Sequence, residues 1–143
     1  MPDFDPSSWT RNLIADMRAH GGRPSEASGP MAGKPLMILT SKGAKTGLDR
    51  TAVVTYHRDG DAWAISASKG GAPTHPNWYH NIVAHPDVTI EVDNQVMAAR
   101  VSEITGPERD RLWNDHVRQL PEFGEYPKKT DRVIPMFLIE KAG

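Results

Sequence analysis

The stretch RTAVVTYHRDGDAWAISA, residues 50–67, decides the fold class. Residues 50–57 are rich in β-branched side chains that alternate between two faces, a pattern typical of a β-strand. Asp59-Gly60 then predicts a type I′ hairpin turn, and residues 62–67 supply the returning strand. The stretch therefore predicts an antiparallel hairpin.

Short apolar segments on either side extend this hairpin into a larger sheet. We predict further strands at residues 36–40, 88–92, 96–104 and 133–139, so that the first three of six strands form a meander. Pro135 interrupts the last segment and favours an edge strand or a bulge, because proline cannot donate a hydrogen bond to a neighbouring strand.

Amphipathic segments predict three helices at the margins of the sheet. They cover residues 6–18, residues 77–84 and the segment after Thr105, where Thr105 and Glu108 predict a capping box. The first helix either packs on the domain or has a functional role, in which it closes over a site or touches a membrane. Both interpretations stay open. Helices do not alternate regularly with strands, which favours a mainly β antiparallel barrel with peripheral helices over a doubly wound sheet.

The composition predicts one globular domain over residues 1–143, with a helix and loop at 1–33 and the barrel with its binding loops at 34–143. The absence of cysteine excludes disulfides, thiolate nucleophiles and iron–sulfur ligation. A net charge of −1 lacks the basic excess of a general nucleic-acid binder. No apolar run approaches the roughly 20 residues of a membrane-spanning helix, and the acidic N-terminus is unlike a signal peptide. We therefore expect a cytoplasmic protein.

A basic loop that contains glycine separates the first two predicted strands. Residues 41–50 hold Lys42, Lys45 and Arg50 beside hydroxyl side chains, and glycine lets backbone N–H groups turn toward an anion. The loop is not a P-loop, because Ala44 stands where that motif needs glycine before the lysine. It either binds an anionic group or is an exposed, solvated hairpin loop.

A second loop of the same kind follows the returning strand. Ser68, Lys69, Gly70 and Gly71 again combine a hydroxyl, a cation and flexible backbone. Because this strand is predicted to pair with the strand that carries Arg50, the two loops favour a shared anion site over a plain glycine-rich connector.

Aromatic side chains on the second predicted helix offer faces for a planar ring. Trp78 and Tyr79 suit that role, although aromatic residues on a short helix also pack in cores. His75, His80 and His85 are five residues apart, so their side chains point about 140° apart on a helix and do not converge on a metal. We predict no metal site, and no Gly-x-Ser-x-Gly elbow supports a hydrolase.

The loop before the last strand, residues 122–132, is the remaining candidate. Tyr126 lies in an aromatic, acidic stretch that suits a substrate, and Lys128 and Lys129 suit an anionic tail. The alternative is a plain surface loop.

Four segments together resemble a known family. They are TSKGAKTG at 40–47 followed by Arg50 and Thr51, ASKGGAP at 67–73, HPNWYHN at 75–81, and RVIP at 132–135. The first resembles the Gly-Arg/Ala-Lys-Ser/Thr-Gly-x-x-Arg signature of the deazaflavin-dependent nitroreductase family, and the next two resemble its second signature. The similarity runs from about residue 37 to residue 139.

This resemblance implies a split, flavin-reductase-like β-barrel that uses reduced coenzyme F-420. Members of the family pass hydride to quinones, activated nitro compounds or conjugated enones, so the implied partners are a small-molecule cofactor and a hydrophobic acceptor, with peripheral membrane contact compatible. The cofactor-binding residues implied by position are Lys42, Lys45, Arg50, Thr51, Val53, Ser68, Lys69, Gly70, Gly71, Trp78 and Asn81.

Catalysis by such a protein needs no protein nucleophile, because the deazaflavin itself donates hydride. Tyr126 and Ser68 are the candidates to stabilise charge on the acceptor oxygen. Two alternatives stay open: a flavin mononucleotide oxidoreductase on the same barrel, and a non-catalytic protein that binds the cofactor.

Overall fold

The computed structural model describes residues 6–45, 47–67, 77–129 and 134–142. The α-helices and strands, in chain order, are α1 (Pro6–Ala19), β1 (Leu36–Lys42), β2 (Asp49–Asp59), β3 (Ala62–Ser66), α2 (Asn77–Ala84), β4 (Asp87–Val92), β5 (Gln95–Ile104), α3 (Gly106–Gln119) and β6 (Met136–Lys141). Among the described residues, two 3₁₀ helices, Glu26–Met31 and Pro121–Lys129, occupy segments for which the sequence predicted loops.

The six strands close into an antiparallel barrel in the order β1-β2-β3-β6-β5-β4. The inward faces of the strands form the main core, and α2 packs against it through Ile82. The predicted fold class and the meander of the first three strands are confirmed. The expectation of an edge at the last strand is wrong, because β6 pairs with both β3 and β5. Pro135 lies just before β6, where its carbonyl accepts a hydrogen bond from the Ala67 N–H at 2.9 Å.

The hairpin turns differ in type from the prediction. Asp59 pairs with Ala62, so the two central residues are Gly60 and Asp61, and only Gly60 has a positive φ, at 61°. A positive φ at the first central position alone is the pattern of a type II′ turn, so the predicted type I′ turn is wrong.

The type I′ pattern belongs instead to the turn between β4 and β5. Asp93 and Asn94 both have positive φ, at 51° and 63°.

The capping box predicted for α3 is absent. Thr105 takes the extended N-cap conformation, but its side chain makes no capping hydrogen bond.

Helix α1 packs on the outer face of the barrel. Leu13 and Met17 are buried against Leu36 and Ile38 of β1, which point away from the barrel core. Arg18 at the end of α1 donates two hydrogen bonds to Glu91 of β4, at 2.9 and 2.8 Å. Of the two interpretations of this helix, packing on the domain is the one that the structure supports. No helix among the described residues is long and apolar enough to cross a membrane.

Candidate functional site

A cavity of about 580 Å³ lies where the first residues of β2 meet α1 and α2. Its size falls within the range of roughly 300–1,000 Å³ that is usual for ligand pockets. Its lining residues are Thr10, Arg50, Thr51, Ala52, Val53, Trp78 and Asn81. Five of the predicted cofactor-binding residues, at positions 50, 51, 53, 78 and 81, are therefore brought together.

Among the described residues that line this cavity, Arg50 supplies the positive charge. Among the side chains that the structure describes, no carboxylate pairs with it: the neighbouring Asp49 is paired with Lys42 at 3.2 Å. An arginine without an acidic partner, in a cavity bordered by apolar side chains, provides a planar two-pronged donor for an anion.

The amide of Asn81 has its orientation set by the basic loop. Its Oδ1 accepts a hydrogen bond from the Ala44 N–H at 3.0 Å. The oxygen is engaged there, so the NH₂ group of Asn81 is the part left to donate toward the cavity. This contact also ties α2 to the loop that precedes Arg50.

Trp78 belongs to both the core and the cavity. It is half-buried against the barrel core and meets Phe137 edge to face, with ring centroids 6.2 Å apart. It also lines the cavity beside Ala52 and Val53. The two interpretations of this aromatic residue are therefore compatible, and its indole gives the cavity a rigid apolar wall.

The other predicted residues lie elsewhere or outside the described part of the chain. Lys42 is exposed and paired with Asp49, and neither it nor the exposed Lys45 lines the described cavity. Ser68, Lys69, Gly70 and Gly71 lie outside the described residues. The side chain of Tyr126 is likewise outside the described part.

A buried histidine pair was missed by the sequence analysis. His57 of β2 and His116 of α3 face each other with their Nδ1 atoms 2.7 Å apart, and His116 Nε2 lies 3.4 Å from Ser66 Oγ. The sequence does carry a signal for this pair, because a histidine in the apolar stripe of α3 needs a polar partner on the surface against which the helix packs.

Burial disfavours the charged form of both imidazoles. It lowers the pKa of His57 and lowers the pKa of His116 to about 3. The order serine, histidine, histidine resembles a catalytic triad, but His116 is 0% and Ser66 7% exposed, so no substrate reaches the hydroxyl. The cluster therefore has a structural role, and its serine does not act as a nucleophile.

A metal centre is not built from the described residues. No group of three or more histidine or acidic side chains within residues 6–45, 47–67, 77–129 and 134–142 is arranged to hold an ion.

Comparison with known proteins identifies the family. The model of the F420H(2)-dependent quinone reductase family, named for the reduced form of coenzyme F-420, matches residues 7–141. The chain belongs to this family. The predicted resemblance is confirmed, and the enzyme class and coenzyme predicted from the sequence agree with those of the family.

Individual relatives are similar to this chain over most of their length. A quinone reductase of that name from Mycobacterium tuberculosis is 38% identical over 110 residues, which cover 75% of this chain and 74% of the relative. A solved F420-H2 dependent reductase is 37% identical, with 74% of this chain and 94% of that chain covered and a TM-score of 0.68. A further solved structure, described as a domain-swapped dimer, is 32% identical, with 95% and 100% covered and a TM-score of 0.70.

The cavity suits a coenzyme of this class. A deazaflavin coenzyme has a planar ring and an anionic tail, and the lining supplies an aromatic wall at Trp78, an amide donor at Asn81 and a cation at Arg50. Apolar Ala52 and Val53 complete the wall. The residues present therefore fit the group that the family uses.

Proposed function

We propose that this protein is a reductase that passes hydride from reduced coenzyme F-420 to a quinone. The observation that carries the proposal is the cavity in which the Arg50 guanidinium, free of any described carboxylate, lies beside Trp78 and Asn81. Bound reduced coenzyme supplies the hydride, so the chain's own residues need only bind, orient and exclude water.

In this proposal each cavity residue has one task. Arg50 holds the anionic tail, because its fork matches two phosphate oxygens. The Asn81 NH₂ donates to an acceptor atom of the coenzyme, and the Trp78 indole limits where the ring can lie. Ala52 and Val53 keep water from the ring, which strengthens the electrostatic contacts nearby.

The second glycine loop is proposed to complete the anion site. The chain leaves β3 at Ser66, and β3 is the direct neighbour of the strand that carries Arg50. Lys69, Gly70 and Gly71 then follow within five residues. Together with Lys45, they add a cation and backbone donors to the charge of Arg50.

Ser68 and Tyr126 are proposed to serve the acceptor. A quinone gains negative charge on oxygen as hydride arrives, and a hydroxyl donor near that oxygen stabilises it. Activated nitro compounds and conjugated enones develop charge on oxygen in the same way, and we propose them as further acceptors.

A cofactor titration tests the proposed function. Oxidised F-420 is expected to bind more tightly than flavin mononucleotide, because the cations at positions 45, 50 and 69 suit a phosphate followed by a longer anionic tail. Its affinity is expected to fall with added salt, since charges in contact with water are screened over roughly 8–10 Å at ordinary ionic strength. Equal or tighter binding of flavin mononucleotide in a fluorescence titration would contradict the coenzyme assignment.

Turnover separates an enzyme from a carrier. With reduced F-420 and a soluble quinone, each protein molecule is expected to oxidise many molecules of coenzyme, which is measured as a loss of coenzyme absorbance. A protein that binds the coenzyme but oxidises none of it with quinone, nitro or enone acceptors is a storage protein and not a reductase.

Trp78→Phe is expected to remove much of the quenching of tryptophan fluorescence that coenzyme binding causes. The reason is that Trp78 lines the cavity, whereas Trp63 and Trp113 do not. The matched control is Trp113→Phe, which should leave the quenching nearly intact. Unchanged quenching in the Trp78 variant places that indole away from the bound ring.

Tyr126→Phe is expected to lower turnover with quinone while leaving the affinity for F-420 nearly unchanged. The substitution removes only the hydroxyl, and a donor used in the transition state alone affects kcat without affecting ground-state binding. Steady-state kinetics and a coenzyme titration measure the two quantities. Weaker coenzyme binding with normal turnover would assign Tyr126 to the coenzyme instead.

A further inference from the structure

The N-terminal half of helix α1 borders the candidate cavity, and the residue that reaches it is Thr10. One face of the helix carries residues at positions i, i+3, i+4 and i+7, which are Thr10, Leu13, Ile14 and Met17. Leu13 and Met17 are buried in the apolar contact with the barrel, and Ile14 packs against the same contact. Thr10 is therefore the member of this face that meets the cavity.

The strand surface that faces this helix changes in the same way. Val53 of β2 packs against the apolar contact of α1 and also lines the cavity. Thr51, two residues earlier, lies on the same face of β2, because side chains alternate along a strand. Its partner on β1 is Thr40, and the two hydroxyl oxygens lie 3.3 Å apart. Helix and strand thus both pass from apolar to hydroxyl side chains at the wall of the cavity.

The pair of strand hydroxyls can present a hydrogen to the cavity. When Thr40 donates to Thr51 Oγ1, the hydrogen of the Thr51 hydroxyl is left for an acceptor in the cavity. An anion beside Arg50 favours this arrangement, because it attracts the hydrogen end of the hydroxyl dipole. The lining therefore combines the guanidinium of Arg50 with the hydroxyls of Thr51 and Thr10.

The position of Thr10 is set by contacts outside the cavity. At the other end of α1, Arg18 donates two hydrogen bonds to Glu91 of β4, at 2.9 and 2.8 Å. The Asp16 carboxylate accepts hydrogen bonds from the N–H and the hydroxyl of Ser25, at 2.8 and 2.6 Å, which fasten the chain that follows the helix. A hydroxyl that is held in place before the ligand arrives loses little conformational freedom on binding.

We propose that Thr10 binds the coenzyme, and that its hydroxyl and that of Thr51 donate to the phosphate held by Arg50. This inference rests on the proposed function, because it takes Arg50 to be the phosphate ligand. Each phosphate oxygen accepts more than one hydrogen bond, so a two-pronged guanidinium leaves positions for further donors. Helix α1 thereby forms a wall of the coenzyme site as well as packing on the barrel.

Two substitutions at Thr10 separate the hydroxyl from the rest of the side chain. Thr10→Val keeps the branched shape and removes the hydroxyl, whereas Thr10→Ser keeps the hydroxyl and removes the methyl group. Valine and serine both have helix propensities close to that of threonine. The matched control on the same helix is Asn12→Ala, which removes an exposed polar group that does not line the cavity.

The first measurement is the dissociation constant for oxidised F-420 by calorimetric titration. Thr10→Val is expected to raise it by roughly two- to tenfold, which corresponds to the loss of one net hydrogen bond. Thr10→Ser is expected to retain most of the affinity, and Asn12→Ala to bind like the wild type. Equal dissociation constants for the valine and serine variants would overturn the proposal.

Inorganic phosphate, used as a competitor of F-420, tests which part of the ligand meets the hydroxyl. Its inhibition constant is expected to rise in Thr10→Val by the same factor as the dissociation constant, and to change little in Thr10→Ser. The proposal is wrong if the two variants give equal inhibition constants, or if phosphate displaces no coenzyme from the wild-type protein.

Hydrogen exchange in α1 measures the same contact from the side of the protein. If Thr10 holds the ligand, the ligand in turn holds α1 on the barrel, because coupling between two equilibria is reciprocal. Saturating F-420 is expected to slow exchange of the amides of residues 13–17, and the slowing should be roughly two- to tenfold smaller in Thr10→Val than in Thr10→Ser. Identical slowing in these two variants contradicts the proposal.

The two proposals fail in different ways. If Arg50→Ala weakens coenzyme binding but Thr10→Val does not, the proposed function stands and the role of Thr10 is overturned. If the wild-type protein binds no F-420 at all, the proposed function fails, and the role of Thr10 fails with it.

Discussion

Arg50→Ala is expected to weaken coenzyme binding by roughly ten- to a hundredfold. A hydrogen bond to a charged group contributes roughly 1.5–3 kcal/mol, and each 1.4 kcal/mol corresponds to about a tenfold change in affinity. The structure strengthens the expectation, because the arginine lines the cavity and no described carboxylate competes for it. Arg50→Lys should recover only part of the loss, since an ammonium cannot donate two parallel bonds to one phosphate.

Calorimetric titration with oxidised F-420 measures the effect of the Arg50 variants. The matched control is Arg100→Ala, which removes an exposed arginine paired with Asp87 at 2.7 Å on the β4–β5 hairpin. Surface pairs of this kind contribute about 0–1 kcal/mol to stability, so melting temperatures of both variants should stay close to that of the wild type. Wild-type affinity in a folded Arg50→Ala protein would overturn the assignment of the anion site.

Lowering the pH from about 6.5 to 4.5 is expected to destabilise the fold through the buried histidine pair. Burial lowers the pKa of His116 to about 3, while in the unfolded chain the imidazole has its usual value of 6.5. Between these values the unfolded state binds more protons than the native state, so the free energy of unfolding falls as the pH falls. The slope reaches about 1.4 kcal/mol per pH unit for one imidazole, or roughly 2–3 kcal/mol over this interval.

The charged groups around the histidine pair do not reverse the direction of this pH dependence. Asp115 and Asp59 act to raise the pKa of His57. Arg111 and Arg118 act to lower it, and burial, which also lowers it, has the largest effect. Glu122 acts to raise the pKa of His116, against the larger effects of burial and His57. Carboxylates such as that of Asp16, whose pKa is lowered to about 2 by hydrogen bonds from Ser25 and Ser28, titrate below this interval.

Urea unfolding between pH 4.5 and 7 measures this dependence. His116→Phe should show a distinctly shallower loss of stability toward low pH, because only His57 remains to titrate at this place. Parallel pH curves for the wild type and the variant would show that the pair is not the source of the effect.

The fold was predictable to the extent that local pattern decides it. The alternation in residues 50–57 comes from one face of β2 meeting the barrel core, and the bounds of α2 follow from Pro76 before it and Pro86 after it. Pro135 misled the prediction because proline is compatible with the position just before a strand as well as with an edge. The type of the turn at Gly60 depends on the pairing of Asp59 with Ala62, which the residues of the turn alone do not determine.

The site was predictable where chemistry and signature coincide, and not where contacts are distant in sequence. Arg50 and Asn81 could be named because motif positions identify them. The role of His116 could not, because its partners Ser66 and His57 are 50 and 59 residues away and nothing in their local sequence marks them. That the Lys42 side chain is paired with Asp49 away from the cavity likewise depends on the register of β1 against β2.

The closure of the barrel has a consequence for how the molecule comes apart. Each strand of the described sheet has two hydrogen-bonded neighbours, so opening any one seam frees the backbone groups of two strand edges. The seam between β1 and β4 is the shortest ladder, with three paired residues, Ile38 with Glu91, Leu39 with Ile90 and Thr40 with Thr89. Helix α1 binds across this seam, with Leu13 and Met17 on β1 and Arg18 on Glu91 of β4. Detachment of α1 would therefore open the barrel at its shortest ladder and expose strand edges to which another chain could add.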